Sequence, residues 1–245
     1  MADSSAAGAY RDVNCNEPAI KWKPLSMTFV EYPAGDFIGF VLAWFSMIPI
    51  FLLVSFGTLI IFRRDLHTMS YLLGLLLNEV VNWILKHIIR ESRPLRDHQI
   101  LFTEYGMPSS HTQLMFFAAS YFVLFVFIRI HRNYHWVDDI WKYGVSIAGF
   151  ITAIIVAFSR VYLLYHTYSQ VICGAIVGMI LGGAWFCVVQ LVLTPFFPVI
   201  ASHPIGEFLM LRDSTLIPHV MWFEYTSTRS ESRSRQRKVT SRKSQ

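Results

Sequence analysis

The sequence predicts an all-α fold, a polytopic transmembrane helical bundle of about five spans, and three observations predict it. Of 245 residues, 54% are hydrophobic and only 15% are charged, against about 25% charged and about 45–50% apolar in soluble domains. The mean hydropathy is +0.43. Uncharged runs of span length recur, beginning with the 26 residues Phe37 to Phe62, where a bilayer core asks for about 20. This composition excludes a soluble globule, a disordered chain, collagen and a coiled coil. Cys15, Cys173 and Cys187 are too few and too far apart for a disulfide framework or a cysteine zinc site. The length fits one domain.

Residues 1–36 form an N-terminal segment whose polar residues leave no signal-peptide core. Span one follows, with Pro49 as an expected kink. Span two, Leu66 to Lys86, contains Asn78, Glu79 and Asn82. Span three begins after His111 and ends at Arg129, and span four lies between Lys142 and Arg160. Span five, Ser169 to Leu193, carries Gly174, Gly178 and Gly182, a small-xxx-small spacing that lets helices approach closely. Cys173 and Cys187, on that span, are expected to pack as small apolar groups. Residues 37–193 thus make up the membrane domain. Between Pro195 and Tyr225 the apolar patches are broken by Pro198, Pro204, Glu207, Arg212, Asp213 and Pro218. We read 194–228 as an interfacial segment, with Trp222, Phe223 and Tyr225 at headgroup level, rather than a sixth span. Residues 229–245, polar and basic, are expected to be a disordered tail.

An odd span count puts the two termini on opposite sides. The N-terminal side holds eight of the 21 Lys and Arg residues and the C-terminal side thirteen. The positive-inside rule then places the tail in the cytosol and the N-terminal segment in a lumen or outside the cell.

Three clusters fall on that non-cytosolic side. Lys86 and Arg93, in KHIIRESRP, stand seven residues apart, so a continued helix would project both cations from one face. Pro108-Ser109-Ser110-His111 opens directly into span three, which places Ser109 and Ser110 at a helix N-terminus, where free N–H groups favour anions. Ser159-Arg160 and His166 close span four. Each cluster alone has an ordinary reading: snorkelling cations, a helix start, a boundary histidine. Together they supply what phosphoryl transfer needs, cations and donors around the charge of the transition state and two histidines for nucleophilic and acid–base work.

The pattern K-x6-RP, PSxH, SR-x5-H, which spans Lys86 to His166 with every interval kept, resembles that of the type 2 phosphatidic acid phosphatase (PAP2) superfamily of membrane lipid phosphatases. YGMPSSHTQ, SRVYLLYHTYSQ and LIPHVMWFEYT are closer still to the dolichyldiphosphatases of the endoplasmic reticulum, a likeness from about Val30 to Arg229. The resemblance implies that His166 is the nucleophile and forms a phosphohistidine. It implies that Lys86, Arg93 and Arg160 hold the phosphoryl group, with Ser109 and the Ser110 backbone completing the cradle. His111 would protonate the leaving oxygen and then activate water. It implies no metal and no other cofactor, and the sequence has no HExxH or EF-hand pattern. Asp138-Asp139 is read as a solvated cytosolic loop. The implied substrate is a polyisoprenyl diphosphate, above all dolichyl diphosphate, whose monophosphate serves as glycan carrier for protein N-glycosylation. Membrane lipids are the other partners; neither nucleic acid nor an obligatory protein partner is expected. Alternatives are a phosphatase of phosphatidate, lysophosphatidate or sphingoid phosphate, and a catalytically silent scaffold or lipid transporter.

The chain departs from the superfamily in two ways. Five spans replace the six of many members. Gln170 stands where the wider pattern has Asp four residues after the nucleophile; a glutamine carbonyl can fix the imidazole tautomer but supplies no charge. Either another carboxylate compensates or the step needs less help, and a leaving group with a second pKa of about 6 favours the latter. Glu79, the one acidic residue inside a span, is a candidate to orient Lys86 or Arg93; its other reading is part of a polar stripe joining helices.

Overall fold

The computed structural model describes residues 22–24, 30–94, 105–129, 136–215, 217 and 220–243. Most of the expected N-terminal segment, including Cys15, lies outside them. A short antiparallel ribbon, β1 (Trp22–Pro24) with β2 (Glu31–Pro33), precedes the first span. Among the described residues five helical stretches are long and apolar enough to cross a membrane: Phe37–Arg63, Leu66–Ile89, Ser110–Arg129, Ile140–Tyr162 and Tyr168–Ser202. The expected spans are all present. Their outer faces are apolar, with Trp83, Ile88, Ile180 and Leu191 each more than 60% exposed, which suits lipid rather than water.

The first stretch is two helices, α1 (Phe37–Phe45) and α2 (Ile48–Arg63). The break falls at Ser46–Met47, so Pro49 sits in the first turn of α2, where its missing N–H costs nothing. This break turns the buried Ser46 toward the fourth span. Asp65 caps α3 (Leu66–Ile89) by accepting from the Thr68 amide at 3.0 Å. Asn78, Asn82 and Lys86 share its buried face, as their four-residue spacing requires. α4 (Ser110–Leu124) ends in a π turn, Phe125–Arg129, and α5 covers Trp136–Tyr162. Asp138 and Asp139 therefore lie on a helix and not in the expected loop; a 27-residue helix extends beyond its apolar stretch.

α6 (Tyr168–Val188) packs on α4 more closely than any other pair, and the glycines explain why. A Cβ on Gly174, Gly178 or Gly182 would lie 2.8, 2.3 or 2.5 Å from the backbone oxygen of Ser109, Gln113 or Phe117. The stripe puts α6 backbone against α4 backbone, as small-residue spacing does in membranes. Cys187 departs from expectation: it is exposed on the outer face of α6, whereas Cys173 is half-buried.

The helical path runs on past Leu193 through a π turn and a 3-10 turn into α7 (Phe197–Ser202), with α8 (Pro204–Phe208) beyond it. The expected interfacial segment therefore begins within a helix, whose Phe197 is buried against the core. The tail also differs. α9 (Val220–Lys243) is helical where disorder was expected, its residues from Ser227 to Thr240 all exposed. The run lacks Gly and Pro, contains five Arg and two Lys, and carries a Glu231–Arg235 pair at 2.8 Å.

Candidate active site

One end of the bundle gathers the N-terminus of α1, the C-termini of α3 and α5 and the N-termini of α4 and α6. Chain alternation demands this, and it brings all three sequence clusters to one place. Each is positioned by a local device.

α3 ends at Ile89 because Arg90 takes a left-handed conformation, φ 54°, its amide closing on the Lys86 carbonyl at 3.0 Å. Arg93 is thus beyond the helix, which corrects the expectation of one continued helical face. The chain reverses at Arg90 and returns Arg93 toward the pocket. Lys86, 9% exposed, stays on the last turn. α5 ends in a similar way. Leu164 has φ 58°, and the amides of Tyr165 and His166 both donate to the Arg160 carbonyl, at 3.0 and 3.1 Å. The five residues between Arg160 and His166 are the length of this cap, which folds the imidazole back over the helix end. Arg160 donates to the Ser46 hydroxyl at 3.2 Å and lies over the Tyr165 ring, 4.1 Å to its centroid. Tyr165 is anchored in turn by the Glu31 amide, which donates to its hydroxyl at 3.0 Å.

Ser109 is fully buried at the N-cap of α4. Its amide donates to the Gln170 carbonyl at 3.1 Å, and its hydroxyl accepts from Thr112 at 3.1 Å. The amides of Ser110, His111 and Thr112, the next three of the helix, precede its first intrahelical donor, that of Gln113. His111 is half-buried and within electrostatic reach of Arg160, His166, Lys86 and Arg93. Behind the site, buried Gln113 donates to the Asn78 side chain at 2.9 Å and accepts from Asn82 at 2.8 Å, while Asn82 also donates to the Pro108 carbonyl at 3.3 Å. This network holds the Pro-Ser-Ser turn against α3.

Gln170 is the hub. Its Nε2 donates to Glu91 Oε1 and to the Ser92 carbonyl, both at 2.9 Å. Two acceptors on that side fix the amide, so Oε1 faces the Thr167 amide, at 3.3 Å, and His166 Nδ1, at 3.1 Å. An acceptor opposite Nδ1 requires Nδ1 to carry the proton. The Nε2 lone pair of His166 is therefore the one available for attack. His166 is 3% exposed, and burial together with the charges of Arg160, Arg93 and Lys86 pushes its pKa down to about 3. The imidazole is neutral, and so nucleophilic, at any physiological pH.

The structure thus brings together Lys86, Arg93, Ser109, Ser110, His111, Arg160, His166 and Gln170. Glu79 is half-buried, forms no hydrogen bond among the described residues and lies within electrostatic reach of Lys86. The carboxylate that reaches the histidine assembly is Glu91, which sequence reasoning passed over although it is the one acid between Lys86 and Arg93. Ser46 was missed as well, and Tyr165, which its sequence context suggests for an interfacial aromatic belt, is instead buried beneath Arg160. Among the described residues no group of His, Cys, Asp and Glu is placed to hold a metal ion.

A helical membrane bundle with these groups at one end defines a class. The model of the PAP2 superfamily matches residues 67–193, and the chain belongs to that superfamily. It is 51% identical to Dolichyldiphosphatase 1 of Mus musculus over 231 residues, 93% of this chain and 97% of the relative. Identity to Dolichyldiphosphatase 1 of Homo sapiens is likewise 51%, with the same coverage. Its fold is similar to that of the transmembrane PAP2 type phosphatidylglycerolphosphate phosphatase from Bacillus subtilis. The TM-score is 0.52 at 20% identity, covering 63% of this chain and 78% of that one.

Proposed function

We propose that this chain hydrolyses dolichyl diphosphate to dolichyl phosphate and inorganic phosphate, through a phosphohistidine on His166. The observation that carries the chemistry is a buried imidazole held neutral, with Nδ1 on Gln170 and Nε2 open, in the field of three cations. Near-full-length similarity to dolichyldiphosphatases supports the substrate.

In the first half-reaction Nε2 of His166 attacks the terminal phosphorus. The bond from that phosphorus to the bridging oxygen breaks, and dolichyl phosphate departs with a proton from His111. Lys86, Arg93, Arg160 and the N-terminus of α4 neutralise the charge spread over the equatorial oxygens. In the second, His111 takes a proton from water, whose oxygen attacks the phosphohistidine and frees phosphate and His166. Because a phosphate monoester is a good leaving group, His111 matters more in the second half. His111→Ala should therefore accumulate phosphoenzyme; absence of accumulation on a diphosphate substrate would contradict this.

The reading places the protein in the endoplasmic reticulum membrane, with the site facing the lumen and the tail in the cytosol, where it returns the glycan carrier used in protein N-glycosylation. Purified protein should release phosphate from dolichyl diphosphate and little from dolichyl phosphate, phosphatidate or a sphingoid phosphate, and His166→Ala should release none. Equal rates on the monophosphates would support the broader lipid phosphatase; no hydrolysis at all would support a silent scaffold.

A further inference from the structure

We propose that Glu91 is a positioning residue for the phosphoryl transfer: it acts on His166 through the Gln170 amide and supplies the anion that a glutamine lacks. The inference rests on His166 being the nucleophile. A carboxylate bonded directly to Nδ1 would orient the ring and balance the charge of the phosphohistidine. Here the two tasks are divided. Gln170 Oε1 orients the ring at 3.1 Å, and Glu91 Oε1 accepts from the other end of the same amide at 2.9 Å. When His166 becomes cationic, its N–H pulls on the amide oxygen, the amide N–H becomes a stronger donor, and the hydrogen bond to Glu91 tightens in step.

The surroundings are built for this arrangement. The Glu91 carbonyl accepts from the Gly106 amide at 2.7 Å, which fastens the loop after α3 to the turn before α4. Gly106 has no side chain because a Cβ there would stand 2.7 Å from both Gln170 Nε2 and Oε1. The Ser92 carbonyl takes the second amide proton, so the amide cannot rotate without losing two bonds. An aspartate at 170 would also set a second carboxylate toward Glu91, where like charges repel. Gln170 and Glu91 are therefore one unit, and each residue makes sense of the other.

The test relocates the charge. Wild type, Glu91→Gln, Gln170→Asp and the double variant are compared on a β-32P-labelled polyisoprenyl diphosphate by kcat, KM and single-turnover phosphoenzyme formation. Glu91→Gln should lower kcat by about 10–100-fold, as loss of an outer carboxylate does, with KM changed little. Gln170→Asp should be impaired beside Glu91, and the double variant, which carries one carboxylate bonded to the histidine, should exceed both single variants. Glu91→Asp should keep more activity than Glu91→Gln. A double variant no better than its worse parent, a fully active Gln170→Asp, or Glu91→Gln matching Glu91→Asp would overturn the proposal. Failure of the nucleophile reading would show separately, as hydrolysis by wild type with no phosphoenzyme.

Discussion

The two ends of the bundle are made from the same kinds of residue and behave differently. At the far end His67 stacks on Phe125, 4.6 Å between centroids, and shares a hydrogen bond with Tyr121 at 3.2 Å. Around it, charges are tied to partners. Arg63 and Arg212 both pair with Glu224, Arg129 donates to the Thr215 carbonyl at 2.9 Å, and Asp65 accepts from Ser214 as well as capping α3. Backbone bonds between Arg64 and Arg212 and between Leu66 and Arg212 sew the C-terminal segment to the α2–α3 turn. At the site end His166 meets an amide oxygen, and Arg160 meets a hydroxyl and a ring face. The lesson is that a histidine and arginines do not make a phosphatase site. What distinguishes the site end is that a neutral amide holds the histidine, within the field of Arg160, Arg93 and Lys86.

The largest contrast should come from exchanging the two histidines for inert residues. His166→Ala should cost at least about 10⁴-fold in kcat, the scale of a lost nucleophile. His67→Phe should leave kcat within about threefold but strand the buried Tyr121 hydroxyl, at about 1–3 kcal/mol, seen as a lower melting temperature in detergent. If both variants lose activity alike, the comparison fails.

The close approach of α4 and α6 offers the next effect. Gly178→Val would drive a side chain into the Gln113 backbone oxygen and displace the Asn78–Gln113–Asn82 network. Overpacking of this kind costs about 1–3 kcal/mol or more, so melting temperature and folded yield should both fall. An unchanged melting temperature would show that the helices can part without cost.

A subtler effect concerns pH. The neutral imidazole attacks, and burial, reinforced by the charges of Arg160, Arg93 and Lys86, holds the His166 pKa low. Wild-type kcat/KM, which reports the free enzyme, should show no acid limb from His166 above pH 5. In Arg93→Gln one depressing charge is gone, so the pKa rises and the acid limb moves to higher pH on the same substrate. A limb that stays in place, or moves lower, would contradict the assigned field. Smallest of all, Arg63→Ala at the far end breaks an ion pair with both partners about a third to a half exposed, worth about 1 kcal/mol at most, and should leave kcat unchanged.

Much of this was legible in the chain itself. Charge-free runs are a direct physical trace of lipid, so the spans could be read, and the Gly174-Gly178-Gly182 spacing marked span five as a helix that a neighbour approaches closely, though not which neighbour. The motif intervals placed the histidines and cations together because each lies at a span end on one side. What stayed hidden depended on contacts distant in sequence or on backbone turns. Gln170 meets Glu91 across 79 residues, and Arg160 meets Ser46 across 114. The left-handed turns at Arg90 and Leu164 occur at residues with no conformational signature of their own, so the route by which Arg93 reaches the pocket was misread although its destination was not. Polarity marks the tail as solvated but does not separate a solvated helix from a disordered chain, and the run from Val220 to Lys243 is helical.

The most direct test is to find where phosphate goes. Wild type and His111→Ala, quenched in alkali within a turnover of β-32P-labelled dolichyl diphosphate, should carry acid-labile label on the peptide containing His166, and more of it in the variant. Label on another residue, or turnover without any labelled protein in either form, would contradict the account.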